Sequence, residues 1–311
     1  MKWLYAVLFI GLMIAGCKAG SGSKSATENK GKETVLKLSP GTNNPRNSEG
    51  DFVSLKDGSI LFVYSHYTGN SSSDHASAYL AGRKSYDKGK TWSTEDKTII
   101  QQEGLMNVMS VSLLRLQNGN IALFYLKKNS TSDCIPIMRI STDETKTWSE
   151  PIPCITDRKG YFVLNNDRVI QLKDGRLLMS VALHQTPEET KWSNGARLFS
   201  YYSDDNGITW KSSPELANPD NVILQEPGVV ELKNGEIMMI IRASPGMQYK
   251  TYSKDRGQSW TAAEPTNIKS PLSPATIQRI PSTQDLLLVW NNNGGENPAI
   301  KGKRTPLSIA V

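Results

Sequence analysis

The sequence predicts an all-β chain built from repeated four-stranded propeller blades, on the strength of two interleaved repeats whose turn chemistry fits that unit. One repeat is a Ser-x-Asp turn closed by tryptophan: Ser85 to Trp92, Ser141 to Trp148, Ser203 to Trp210 and Ser253 to Trp260. It takes four of the seven tryptophans, so one packing position recurs along the chain. The aspartate can cap turn amides, glycine supplies positive φ, the hydroxyls bond locally and the indole leaves the turn to pack between strands. The other repeat is a pair of apolar runs joined by Asp-Gly or Asn-Gly: Val53 to Leu61, Leu114 to Ala122, Ile170 to Leu178 and Val230 to Met238. These dipeptides favour type I′ hairpins. A fifth copy with an altered turn runs from Ile277 to Trp290. Each unit thus reads as strand, Asp-Gly turn, strand, longer loop, strand, Ser-x-Asp turn, strand, and its apolar runs suit strands buried on both faces.

Taken in order, the chain opens with Lys2 and an apolar stretch from Trp3 to Ile14 that ends in Ala15-Gly16-Cys17. That stretch is shorter than the ~20 apolar residues a spanning helix needs, and it resembles a bacterial lipoprotein signal with residues 1–16 removed and Cys17 lipidated. An ordinary secretory signal cleaved nearby is the alternative, and it too sends the protein out of the cytoplasm. The expected location is the bacterial envelope, at the outer membrane or periplasmic face, with the membrane touched through the lipid anchor only. Residues 17–34 are Gly, Ser, Lys, Thr and Asn with almost nothing to bury, which reads as a flexible tether. Residues 35–311 suffice for one large β domain. Arg304 to Val311 reads like the strand that elsewhere leads into a Ser-x-Asp turn, as Lys250-Thr251-Tyr252 does, and the sequence stops there. The expectation is a propeller truncated in mid-blade with an open edge. A terminal strand completing the first blade of a five-bladed ring is the alternative.

A net charge of +6 with dispersed Lys and Arg gives little support to nucleic-acid binding. Mean hydropathy of -0.42 fits a soluble body on the tether, and a monomer is expected. Cys134 and Cys154 flank the turn that starts at Ser141, so a hairpin disulfide and two unpaired thiols are both open. His66, His75 and His184 are scattered, no cluster has metal-ligand spacing, and neither a metal nor another cofactor is expected. Around the end of the units where first strands begin, acidic and basic residues alternate: Glu49 and Asp51, Lys127 and Lys128, Asp167 and Arg168, Glu226, Arg242.

The Ser-x-Asp turns resemble the Asp boxes of the sialidase (neuraminidase) superfamily, and the match covers nearly the whole chain after the tether. The resemblance implies a six-bladed propeller, here incomplete at its C-terminus, and an exo-acting hydrolase that releases terminal sialic acid or a related acidic sugar from glycans. It implies roles for residues of this sequence. Glu226, in Gln225-Glu226-Pro227-Gly228, resembles the glutamate that makes the family's tyrosine nucleophile more basic. Asp74 resembles the acid/base aspartate, and Arg242 and Arg304 resemble the second and third arginines of the carboxylate-binding triad. Where the first arginine stands in the family, this sequence reads Asn47-Ser48-Glu49-Gly50-Asp51, so Glu49, the nearby Arg46 and the extra Arg168 are candidates for specificity. The family's tyrosine lies beyond the third arginine and has no counterpart in residues 305–311, and Tyr249 lies on the wrong side of Arg242 to replace it. Little or no sialidase turnover is therefore expected of these 311 residues. A non-catalytic glycan-binding or envelope-assembly propeller is the competing reading.

Overall fold

The apolar runs around each Asp-Gly or Asn-Gly pair form antiparallel hairpins, and each of the first four hairpins continues into a third and a fourth strand. The computed structural model describes residues 34–244 and 246–311; the expected signal segment, Cys17 and most of the tether lie outside the described residues. The first sheet is β1 (Asn47–Ser54), β2 (Ile60–Tyr67), β3 (Ala78–Ser85) and β4 (Lys97–Ile100), in that order. The second is β5 (Asn107–Arg115), β6 (Ile121–Ser130), β7 (Asp133–Ser141) and β8 (Ile152–Pro153). After the short β9 (Tyr161–Val163), the third holds β10 (Val169–Gln171), β11 (Leu177–Gln185), β12 (Arg197–Ser203) and β13 (Lys211–Ser212). The fourth is β14 (Leu224–Glu231), β15 (Ile237–Ala243), β16 (Met247–Ser253) and β17 (Glu264–Lys269). The fifth is β18 (Thr276–Arg279), β19 (Leu286–Asn291) and β20 (Leu307–Ala310), and β20 takes the place that β3, β7, β12 and β16 hold in theirs.

The Asp-box turns form as their residues dictate. In all four, the first serine Oγ accepts the amide of the fifth residue at 2.8 Å. The aspartate Oδ1 accepts a further amide at 2.8–3.0 Å. Two successive residues at positive φ make the turn, and in the second box the glycine position is Thr145 at φ 69. The hairpin turns differ from the expected type I′. Gly58, Gly119, Gly175 and Gly235 have φ of 84–97°, but the preceding Asp or Asn does not share the left-handed region. Leu55 accepts from Gly58 and donates to Ser59, which makes a three-residue loop with glycine at a bulge, repeated in the other three sheets. The Asp or Asn is selected instead because its side-chain oxygen accepts the amide two residues on, as Asp57 does from Ser59 at 2.9 Å.

Four apolar cores lie between successive sheets. Leu123 and Tyr125 of β6 face the first sheet with Leu61 and Val63, whereas Ala122 and Phe124 face the third with Leu177 and Met179. β6 and β11 are therefore buried on both faces, as continuous apolar runs require. Cys134 and Cys154 are free and buried. The register Met138↔Ile152 and Ile137↔Pro153 sets Cys154 against Pro136, leaving Cys134 two residues along the strand, so of the two readings the unpaired thiols hold. The chain also departs from separate blades: β9 pairs antiparallel with β11 and parallel with β7, which joins the second and third sheets into one.

One irregularity repeats and positions the site. The first strand of each of the first four sheets bulges against its partner near its start. Ser48 pairs with Ser65 and Asp51 with Val63, so Glu49 and Gly50 face a single residue; Ser110 and Val111, and Glu226 and Pro227, do the same. Glu49, Ser110 and Glu226 sit at φ 55, 62 and 40. In the third sheet the excursion widens to residues 164–168 between β9 and β10. Bulges re-aim side chains, and these turn polar groups inward where an unbroken strand would have kept its alternation.

Candidate functional site

Because first and second strands are antiparallel partners, the start of one and the end of the other meet at a single end of every sheet: Asn47 with His66, Asn107 with Lys128, Gln225 with Arg242. The site is assembled there. Arg46 precedes β1 and stands over the Tyr67 ring, 4.6 Å from its centroid. Its guanidinium bonds Asp74 Oδ1, Glu49 Oε1 at 3.2 Å and Ser48 Oγ at 2.9 Å. Glu49 also accepts Ser110 Oγ at 3.1 Å, which ties the first bulge to the second. Asp74 lies in the β2–β3 loop with its side chain 63% exposed, so a ligand can reach it. Burial pushes the Asp74 carboxyl up, but the bond and charge of Arg46, helped by Lys128 and His75, outweigh it and hold the group below the ordinary range. Burial raises Glu49 against the pull of Arg46.

A second ion pair stands on the fourth sheet. Arg242 Nη1 is 2.6 Å from Glu226 Oε2, yet Arg242 Nε and Glu226 Oε2 are both buried without an aligned hydrogen bond, so this pair keeps unused donors and acceptors. Aromatic side chains span the distance between the two pairs. His184 stacks on Trp192 with centroids 4.6 Å apart, Trp192 meets Tyr161 edge-on at 5.0 Å, and Tyr161 meets His75 at 6.2 Å. The charges of Glu226 and Arg242 are felt at His184, whose imidazole is lowered chiefly by burial.

Arg168 belongs to the inside of the molecule. Only 5% exposed, it donates through Nη2 to Ala275 O at 2.8 Å and through Nη1 to Thr276 Oγ1 at 3.2 Å, tying the third sheet to the fifth. Beside it Asp167 accepts Gln278 Nε2 at 2.7 Å, and Asn166 reaches Gly50 O at 3.2 Å. Asp51 and Asp167 are both raised, Asp51 by burial and by the charge of Asp167. Arg304 is exposed on the stretch leading to β20, where its carbonyl accepts Asn291 Nδ2 at 2.9 Å. The structure thus brings Arg46, Glu49 and Asp74 together, pairs Glu226 with Arg242, seats Arg168 in the interior against Gly228 and within reach of the Glu226 charge, and leaves Arg304 exposed beside β20. Sequence pattern does not single out Tyr161 or Trp192; the available signal was an indole in a loop otherwise of polar and small residues, Thr186-Pro187-Glu188-Glu189-Thr190-Lys191 before it and Ser193-Asn194-Gly195-Ala196 after it.

Such an end offers two guanidinium centres, an exposed carboxyl beside one of them and an aromatic wall between, a set suited to an acidic sugar. A family model described as "BNR repeat-like domain" matches residues 88–311. The chain is 24% identical over 295 residues to a sialidase of Paraclostridium sordellii, covering 85% of this chain and 70% of that one. It is 27% identical over 243 residues to a sialidase of Clostridium perfringens, covering 69% of this chain but only 60% of the relative's length. In fold it resembles the intramolecular trans-sialidase from Ruminococcus gnavus, with a TM-score of 0.64 at 14% identity over 83% of this chain and 80% of that one.

Proposed function

The chain belongs to the BNR repeat-like domain family of the sialidase superfamily, and from that premise we propose that it is an exo-acting glycoside hydrolase of the sialidase type, its five sheets being blades of a six-bladed propeller. Its substrate would be a glycan ending in sialic acid or a related acidic sugar. The observation that carries this reading is the contact between Arg46 and the exposed Asp74. A sugar carboxylate that takes the donors of Arg46 removes the cation holding Asp74 ionised, so the same binding event that seats the sugar raises the acid that must protonate the leaving oxygen. Arg242, held by Glu226 through Nη1, would take the carboxylate from the other side, and Arg304 would join it only by approach of its loop. Glu226 is the group that would draw the proton of a tyrosine nucleophile.

A second reading, glycan binding without turnover, is favoured by one contact: the Tyr249 hydroxyl donates to Asp220 at 3.0 Å and not to Glu226. The test is a panel of fluorogenic glycosides of acidic and neutral sugars, with titration calorimetry of free sialic acid, on the parent, Arg242→Ala and Asp74→Asn. Acidic sugars are expected to bind, more weakly after Arg242→Ala, and any turnover should fall about 10²–10⁴-fold in Asp74→Asn. Binding of acidic sugars with no turnover of any glycoside selects the second reading. If no acidic sugar binds, or if Arg242→Ala binds as tightly as the parent, both readings of the pocket fail.

A further inference from the structure

We propose that Asn107 and Lys128 form a two-donor clamp, built on the second sheet, that positions Asp74 of the first; the inference rests on the reading of Asp74 as the acid of the site. The two residues are register partners on β5 and β6. Both converge on one atom outside their own sheet: Lys128 Nζ donates to the Asp74 carbonyl oxygen at 2.7 Å, and Asn107 Nδ2 donates to it at 2.9 Å. Asn107 Nδ2 also reaches Ala76 O at 2.7 Å, so the clamp grips the loop on both sides of His75.

Neither residue is placed there cheaply. Asn107 is fully buried and its own carbonyl Oδ1 has no partner, so its amide is spent wholly on the loop. Lys128 is 1% exposed, far from the usual behaviour of a lysine, and apart from the carbonyl its ammonium meets, among the described residues, Met109 Sδ at 3.2 Å and the Tyr161 ring at 5.2 Å. A buried ammonium with no carboxylate in salt-bridge contact among the described residues is a poor way to build a core, because desolvation of the charge is not offset by a close counter-ion. Here it aims a backbone carbonyl, and so fixes where the adjoining carboxyl meets Arg46. The device recurs in a lighter form on the fourth sheet, where Gln225 Nε2 donates at 2.5 Å to Asn194 O in the loop that carries Trp192.

The groups whose charge reaches Asp74 or its clamp are Arg46 just before β1, Glu49 near the start of β1, Tyr67 on β2, His75 in the same loop, Lys128 on β6, Cys134 on β7 and Tyr161 on β9. Removing Lys128 therefore lifts Asp74 twice, by losing a nearby positive charge and by freeing the loop from its seat beside Arg46, whereas removing the Asn107 amide lifts it only through the freed loop.

The experiment compares the parent with Lys128→Met and Asn107→Ser, after melting curves establish that each is folded. Hydrogen–deuterium exchange across residues 69–77 should quicken several-fold in both variants. The Asp74 titration, followed by ¹³C NMR of labelled aspartate, should move upward in both variants, and further in Lys128→Met, where a nearby positive charge is lost together with one arm of the clamp. A folded Lys128→Met with unchanged loop exchange overturns the clamp, and so does a lysine variant whose Asp74 titrates as in the parent. Should Lys128→Met fail to fold, unchanged loop exchange in Asn107→Ser is sufficient to overturn it. These readouts need no turnover. A protein without glycosidase activity but with a loosened loop refutes the functional reading and leaves the clamp standing; an active enzyme whose loop ignores both substitutions does the reverse.

Discussion

Thr145 shows how much a single position can carry against its own preferences. It occupies the glycine place of the second Asp box at φ 69, a region that costs a β-branched residue roughly 1–3 kcal/mol, and its buried Oγ1 has no hydrogen-bond partner. Thr145→Gly removes both penalties and adds the backbone entropy of glycine, so we expect a net gain of about 1 kcal/mol, read as a higher melting temperature. An unchanged or lower melting point would mean that the threonine side chain contributes packing that outweighs its strain. At this scale, residues that matter by type are legible in the sequence: Asp74, Glu226 and Arg242 stand out because a recognised motif surrounds them. Asn107 is not legible, because its importance lies in which carbonyl its amide reaches. Lys128 reads as one more cation on a charged rim, since nothing in Lys127-Lys128 says which of the two turns inward.

The repeating elements teach the difference between turn composition and turn geometry. Asp-Gly and Asn-Gly correctly mark all four hairpins, yet the loop has three residues, because the preceding leucine closes the turn and only glycine leaves the right-handed region. The dipeptide rule sees composition; the count of loop residues is set by which strand residues pair. Glycines at these places differ in what surrounds them, and that difference can be measured. A Cβ on Gly235 would meet nothing within 4 Å, so Gly235→Ala should cost only its backbone strain, about 1–2 kcal/mol. A Cβ on Gly257, in the fourth Asp box, would lie 2.5 Å from Leu178 Cδ1 in the neighbouring sheet, so Gly257→Ala should cost clearly more by chemical denaturation. Equal losses would show that the sheets slide apart freely at that contact. The bulges were hidden for a related reason. Glu49, Ser110 and Glu226 stand at the same distance before Gly58, Gly119 and Gly235, and this repeated break in the apolar alternation was the only written sign of them.

For the molecule as a whole, the buried carboxylates beside the third sheet's excursion set a pH dependence. Asp51, raised by burial and by Asp167, is pushed up to about 8, and Asp167 is raised by burial as well. The folded chain therefore keeps protons that the unfolded chain releases above the ordinary aspartate range. Their contribution to stability is fully present below that range and is lost as pH rises toward about 8. His66, His75 and His184, lowered chiefly by burial, add a slope of the opposite sign over the lower part of that window, so the readout is the difference between parent and Asp51→Asn. The melting temperature of the parent relative to the variant should fall between roughly pH 5 and 8, and a relative rise would contradict the assignment. The propeller-like succession of sheets was legible because the same turn is written four times, whereas the strand that crosses between two units was not, since Tyr161 to Val163 carries no repeat signature. That strand changes how the chain should come apart. A row of like units ordinarily yields to mechanical tension one unit at a time, with rips of similar length. With β9 paired along β11 and bridged to β7 at Cys134↔Tyr161, we expect the second and third units to yield together, so that an optical-tweezers trace shows one double-length rip where the spacing of the turns promises two; two separate rips would show that the bridge gives way first.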